Sequence, residues 1–372
     1  MPNNRPSTSK IPSPRPEITN SSRYSAPLEG RRKLLRLDFN ENTMGPSPKV
    51  LEALKNIPSH YISIYPEYNG LKEAMASNLN KKGGRRNILS THIGVFNGVD
   101  AAIHAIFNAY GNKDDILLTT KPTFGYYSPC AKMQGMKIIE IPHIKKDFTF
   151  PIEQITQSLR TKEPKLLFIC NPNNPTGTSI NPEEIIKLSK SSPDTLIVVD
   201  ELYEAFTNTS ILPIIDFRKT PNIVVLRSLS KTAGLAGLRI GFCIGNPDVI
   251  DIIESVTGPY DVNSFAVTAA FAALKDQQYI DNYVLEVLKA RDWLCQKLIE
   301  NKVKYHIKDG NYCLIWPNKS ASLVEESLKK EGILVRNMSN KPFLNGALRV
   351  SIGTTSQMKI FWGSFRKIDI KC

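Results

Sequence analysis

Four short apolar runs in the middle of the chain end in residues with chemical uses. Leu196-Ile-Val-Val-Asp200 delivers a carboxylate, with Glu201 and Tyr203 just behind it, and Ile223-Val-Val-Leu-Arg227 opens into Ser228-Leu-Ser-Lys231. Leu166–Cys170 runs into Asn171-Pro-Asn-Asn-Pro-Thr-Gly177, and Val95-Phe-Asn-Gly-Val-Asp100 leads into a helix. Singly, each has an ordinary reading. An apolar run closing on two acids is also the pattern of a nucleotide-phosphate strand, but the GxxxxGK[ST] loop such a site needs does not occur. Ser-x-x-Lys is found in serine acyl-enzymes, whose Ser-Asp-Asn and Lys-Thr-Gly companions are missing. A lone lysine after a strand is usually a solvated charge, and a run of Asn and Pro is at minimum a turn.

Brought to one crevice, these pieces match the needs of pyridoxal 5′-phosphate (PLP). That cofactor takes a lysine at its aldehyde, an acid at its pyridine nitrogen, donors at its phenolate oxygen and a cradle for a dianionic phosphate. Lys231 would supply the amine and, once displaced by substrate, move protons; Asp200 would hold the ring nitrogen protonated. Asn174 and Tyr203 would bond the phenolate oxygen. The helix beginning around Gly98-Val99-Asp100 would offer backbone N–H groups to the phosphate, joined by Ser228, Ser230 and Arg239.

The elements needed to position these groups are legible in the pattern. Strands are expected at Asp115–Leu118, Lys137–Ile141, Leu166–Cys170, Leu196–Val199, Ile223–Leu226 and Arg239–Ile244, with helices such as Asp100–Tyr110 and Pro182–Ser189 between them. Short β-branched runs separated by helices indicate an α/β fold with a mainly parallel sheet covered on both faces. Ligands of such sheets sit beyond the carboxyl ends of the strands. After about residue 270 the character changes to long amphipathic helices such as Tyr279–Glu300, then short strands near Tyr312–Trp316 and Leu348–Ile352, which reads as a smaller α+β domain. The expected division is an arm over 1–33, a small domain from 34–60 and 270–372, and a large cofactor domain over 61–269.

From about residue 34 to 365 the chain resembles the fold-type I, class I/II aminotransferases, and within them the histidinol-phosphate aminotransferase branch. The similar segments are Leu37-Asp-Phe-Asn-Glu-Asn-Thr-Met-Gly-Pro-Ser-Pro48, Tyr65-Pro-Glu-Tyr-Asn-Gly-Leu71, Asn174-Pro-Thr-Gly177, Asp200 through Tyr203, Ser228-Leu-Ser-Lys231 with Arg239 eight residues on, and Leu348-Arg-Val-Ser-Ile-Gly-Thr354. The resemblance implies the PLP-dependent transferase fold type I and a homodimer in which Tyr65 reaches the partner's cofactor phosphate. It implies that Phe124 stacks on the pyridine ring and that Arg349 clamps the substrate's carboxylate or phosphate, with Arg336, Tyr24 and Asn42 at the same end. The implied activity is amino transfer from a small amino acid or amino-phosphate, with a 2-oxo acid completing the cycle. A PLP-dependent lyase or cyclase, such as a cyclodehydratase of a hydroxylated arginine or a threonine-phosphate-type decarboxylase, is the alternative. The departures gather near the cofactor: Val99 and Ala101 stand where the branch has Ser and Glu, Phe124 where Tyr is common, and Ala233 where an aromatic is frequent, which predicts a hole.

Bulk properties fit this picture. The chain has 372 residues, 22% of them charged, and no apolar run long enough to span a membrane. Six scattered cysteines without a CxxC pair read as reduced thiols of a cytoplasmic protein, and the five histidines fall in no metal-ligand spacing. The net charge is +13, of which +6 lies in residues 1–36. With no basic stretch interleaved with aromatics, that charge suits an enzyme of anionic metabolites better than a nucleic-acid binder. The Pro- and Ser-rich arm is basic like a transit peptide, but its prolines disfavour the amphipathic helix such peptides form.

Overall fold

A computed structural model describes residues 12–19, 29–81, 87–144, 147–207 and 209–370. Tyr24 lies outside them. In chain order the strands are β1 (Leu35–Arg36), β2 (Ile93–Phe96), β3 (Ile116–Lys121), β4 (Lys137–Pro142), β5 (Leu166–Cys170), β6 (Leu196–Asp200), β7 (Ile223–Ser228) and β8 (Gly241–Gly245). They continue with β9 (Lys304–Ile307), β10 (Tyr312–Trp316), β11 (Ile333–Leu334), β12 (Arg336–Asn337) and β13 (Leu348–Ser351). Seven of them form the main sheet in the order β2-β8-β7-β6-β5-β3-β4. β5 and β6 are buried at every position, because helices cover both faces and leave no side for polar residues.

One strand of this sheet is reversed. β8 is antiparallel to both β7 and β2, and its first residue, Gly241, pairs with Ser228 on one side and Phe96 on the other. That reversal matters for the site. It brings the residues before β8, including Arg239, to the edge where β2, β6 and β7 end; a parallel β8 would have placed them at the far edge. Arg239 turns the chain there in the left-handed conformation, with φ +57°.

The small domain is an antiparallel sheet, β12-β13-β10-β9, backed by the helices Gln277–Glu300 and Thr355–Phe365 around a second apolar core that includes Tyr283, Leu294, Phe361 and Phe365. β1 pairs with β11, tying residues 35–36 to this domain. The expected cuts at 60/61 and 269/270 need correction. Helix Ser264–Lys275 runs unbroken across residue 270, and its alanines pack in the main core together with Val50 of helix Pro48–Lys55. Both segments belong with the large sheet, because their apolar faces close on it. Within the expected arm, residues 16–19 form a single helical turn, and Arg15 donates to the Met133 carbonyl at 2.6 Å. Ala233 is buried in the main core at 2% exposure.

Candidate active site

Asp200 ends β6 with its side chain buried. One carboxylate oxygen accepts the Tyr127 hydroxyl at 2.6 Å, and the other accepts the Leu202 N–H at 3.3 Å. Burial raises its pKa from an ordinary 3.8 to about 6, against the pull of those two donors and of Lys231. Lys231 shows the mirror effect. Burial, then the charge of Arg349, brings its pKa down to about 8, with Glu41 and Asp100 opposing. The Lys231 ammonium donates to the Phe39 carbonyl at 3.0 Å. The buried acid and the half-buried amine thus face one crevice, within electrostatic reach of each other.

Tyr203 sits between them and the small domain. Its hydroxyl accepts from the amides of Asn40 (3.1 Å) and Asn174 (3.2 Å), which leaves its own proton to donate into the crevice. The Asn174 carbonyl oxygen accepts from Arg349 at 2.8 Å, and a second Arg349 nitrogen donates to the Asp38 carbonyl at 2.5 Å. Arg349 lies on β13 opposite Arg336 on β12. Arg336 makes no ion pair among the described residues and stands with its guanidinium 5.7 Å from the centre of the Phe39 ring.

The opposite end is shaped as an anion cradle. Helix Gly98–Tyr110 starts without a side-chain cap, so its first N–H groups keep their capacity to bind an anion. Gly98 has φ +78°, and a Cβ there would lie 2.5 Å from an Arg239 guanidinium nitrogen; a Cβ on Gly241 would lie 2.6 Å from the Val99 nitrogen. Only glycine permits that approach of backbone and guanidinium. Ser228 and Ser230 stand alongside, their hydroxyls 2.9 Å apart, and Asp100 holds Arg239 from the outside at 2.9 Å. A phosphate cradle, a buried acid, a phenol donor and a low-pKa lysine in one crevice fit PLP. Phe124, edge-on to Tyr127 with ring centres 5.5 Å apart, lines the same crevice.

Residues 32–365 match the family model for aminotransferase class I and II. The chain belongs to that family. It is 33% identical to the histidinol-phosphate aminotransferase of Thermoanaerobacter pseudethanolicus, over 86% of this chain and 88% of the relative. It is 32% identical to a dihydroxyacetone phosphate transaminase of Campylobacter jejuni, over 87% of each. In fold it is similar to the histidinol-phosphate aminotransferase of Sinorhizobium meliloti solved with PLP (TM-score 0.85, 22% identity, 97% of this chain and 99% of that one). It is also similar in fold to an aspartate aminotransferase of Thermus thermophilus (TM-score 0.77, 21% identity, 90% and 92%). Membership in this aminotransferase family does not favour the lyase and cyclase alternatives.

Most residues singled out by sequence converge on this aminotransferase crevice, Asn42 takes another place, and Tyr65 stands on the surface, where the role expected of it needs a second copy. Asn42 has both ends of its amide committed inside the chain: the oxygen accepts the Met44 and Gly45 N–H groups, and the nitrogen donates to the Thr232 carbonyl at 2.7 Å. It therefore secures the turn beside Lys231 instead of lining the substrate end. Tyr65 is 70% exposed and stacks on Tyr260, with ring centres 4.0 Å apart. Two residues of the site went unnoticed in the sequence. Asn40 was visible inside the Leu37–Pro48 segment but carried no assigned role. Tyr127 follows directly on Pro122-Thr-Phe-Gly-Tyr126, yet nothing in its spacing pointed to Asp200.

Proposed function

We propose that this PLP-dependent aminotransferase acts on a small amino-bearing substrate that carries a phosphate, with a 2-oxo acid as the amino acceptor. The observation carrying this reading is the pair Arg349 and Arg336, side by side in the β12–β13 register, the second of them without an ion pair among the described residues. Two guanidinium forks at one end of a crevice suit a dianion better than a neutral group. Two of the relatives that this chain matches at over 30% identity bear names containing a phosphate ester.

PLP, held by Gly98, Val99, Ser228, Ser230, Arg239, Asn174 and Phe124, would supply an aldehyde for amine exchange and an electron-withdrawing ring. The chain's own groups then divide the work. Asp200, ionised above about pH 6, would keep a proton on the ring nitrogen. Tyr203 would donate to the oxygen beside the aldehyde. Lys231, with a pKa brought down to about 8, has a far larger free-base fraction near neutral pH than an ordinary lysine and would carry the proton removed from the substrate's α carbon. Arg349 and Arg336 orient the substrate by its anionic end.

We further infer a cytoplasmic homodimer with shared sites. Tyr61, Ile62, Ile64 and Tyr65 form an exposed apolar strip, which supports its burial against a second copy. No helix among the described residues is long and apolar enough to cross a membrane.

The test is a matched pair of substrates. PLP-loaded protein is mixed with histidinol phosphate or with histidinol, and conversion of the cofactor to its amine form is followed in a single turnover. The phosphorylated compound is expected to react with kcat/KM about 10⁴-fold higher, the scale at which a site built for a polar group rejects the analogue lacking it. Equal rates refute the phosphate reading. Turnover of an amino acid well beyond one equivalent of enzyme with no amino acceptor present refutes amino transfer.

A further inference from the structure

Four groups that define the site lean on one stretch of backbone. Between Asp38 and Asn42 the chain accepts Lys231 at the Phe39 carbonyl (3.0 Å) and Arg349 at the Asp38 carbonyl (2.5 Å). It offers the Asn40 amide to Tyr203 (3.1 Å) and the Asn42 amide to Thr232 (2.7 Å). This strap is held from its outer side by Arg31. The Arg31 guanidinium is bidentate on Asp38 at 2.6 and 2.9 Å and reaches both oxygens of Glu41 at 2.9 and 3.3 Å. It also lies 4.1 Å from the centre of the Phe39 ring. Its side chain is only 11% exposed. Burial alone would weaken its hold on the proton, but Asp38 and Glu41 outweigh that effect and raise its pKa.

We propose that Arg31 is a positioning residue for Lys231 and Arg349: it fixes the strap on which both rest and compensates the Glu41 charge that faces the lysine. The proposal rests on Lys231 being the reactive amine. The charges facing Lys231 are Arg349 and Arg239, which oppose its protonation, and Glu41, Asp100 and Asp200, which favour it. Of these, Glu41 is governed from outside the crevice, by Arg31 and, at 3.3 Å, by Arg36. Burial raises the Glu41 pKa, but the bond and charge of Arg31 outweigh it, so this carboxylate stays ionised below its ordinary range. Loss of Arg31 leaves the Glu41 charge less compensated and increases proton affinity at Lys231. Loss of Glu41 does the reverse. A residue that served packing alone would not give opposite signs.

The experiment is the pH profile of Lys231 acetylation by acetic anhydride in the cofactor-stripped full-length chain, read by peptide mass spectrometry. In Arg31→Gln the profile is expected to move to higher pH, with labelling near pH 8 slowed roughly two- to threefold, as a charge at partly screened range would do. In Glu41→Gln it moves to lower pH, and the double variant returns close to the unsubstituted chain. Arg31→Lys, which keeps the charge, retains the profile. Shifts of the same sign in the two single variants, or no shift, overturn the proposal. If Arg31→Gln does not fold, Glu41→Gln decides alone, and an unmoved profile there overturns it. PLP binding by the unsubstituted chain is scored separately, since its failure would refute the cofactor reading while the profiles still judge Arg31.

Discussion

Replacing Asp200 by Asn is expected to stabilise the cofactor-free chain at neutral pH while disabling the enzyme. The carboxyl group is buried, and its pKa rises from 3.8 to about 6, chiefly because burial penalises the charged form. An acid whose folded pKa lies above its unfolded value binds its proton more tightly when folded. Its contribution is fully present below pH 3.8, declines as pH rises, and is gone above about pH 6. A difference of about two pKa units corresponds to a change on the order of 3 kcal/mol across that window. Asn is neutral throughout, can still accept the Leu202 N–H, and can donate to the Tyr127 oxygen. The assay is urea unfolding of both cofactor-free proteins at pH 4 and pH 7.5, with the difference between them isolating this residue from every other titration. Asp200→Asn should gain on the unsubstituted chain by on the order of 3 kcal/mol between the two pH values. With PLP loaded, the same substitution removes the partner of the ring nitrogen and should lower kcat by a factor on the order of 10² to 10³. A stability difference independent of pH, or one that favours the unsubstituted chain at pH 7.5, would refute the claim that burial dominates at Asp200.

Two further substitutions test the frame around that acid. Arg227 is 8% exposed, pairs with the fully buried Glu201 at 2.7 Å and also contacts Glu204, so Arg227→Met should cost about 3–5 kcal/mol in urea unfolding by stranding the buried Glu201 carboxylate; a loss under 1 kcal/mol would show the pair to be dispensable. Gly98→Ala places a methyl group 2.5 Å from the Arg239 guanidinium at a backbone φ of +78°. PLP affinity by equilibrium titration should fall at least about tenfold while the fold survives, and unchanged affinity would remove Gly98 from the phosphate cradle.

What could be read in the sequence follows the range of the forces involved. Leu166–Cys170 appears as a strand with the bounds expected of it, because five consecutive apolar residues have only a doubly covered sheet to enter. Asp200 and Lys231 were legible because they lie at or just beyond a strand end, and Arg239 because it stands just before a strand at a fixed spacing from Lys231, where local pattern and chemistry coincide. Tyr127 was not, since its bond to Asp200 spans 73 residues and depends on two loops meeting above the sheet. Arg31 was hidden for a related reason: it lies at the edge of a basic, proline-rich arm and entered the sequence reading only through that arm's net charge. Its two carboxylates are only seven and ten residues away, yet they become partners only because β1 and β11 pair and β13 carries Arg349 beneath the strap. The strap therefore joins both domains at the lysine: Asn40 also bonds Ser351 of β13 through its N–H at 2.8 Å, while Asn42 bonds the residue after Lys231. Any rotation of the small domain against the large sheet must pull on this segment, so the position of Arg349 and the surroundings of Lys231 change together and not independently.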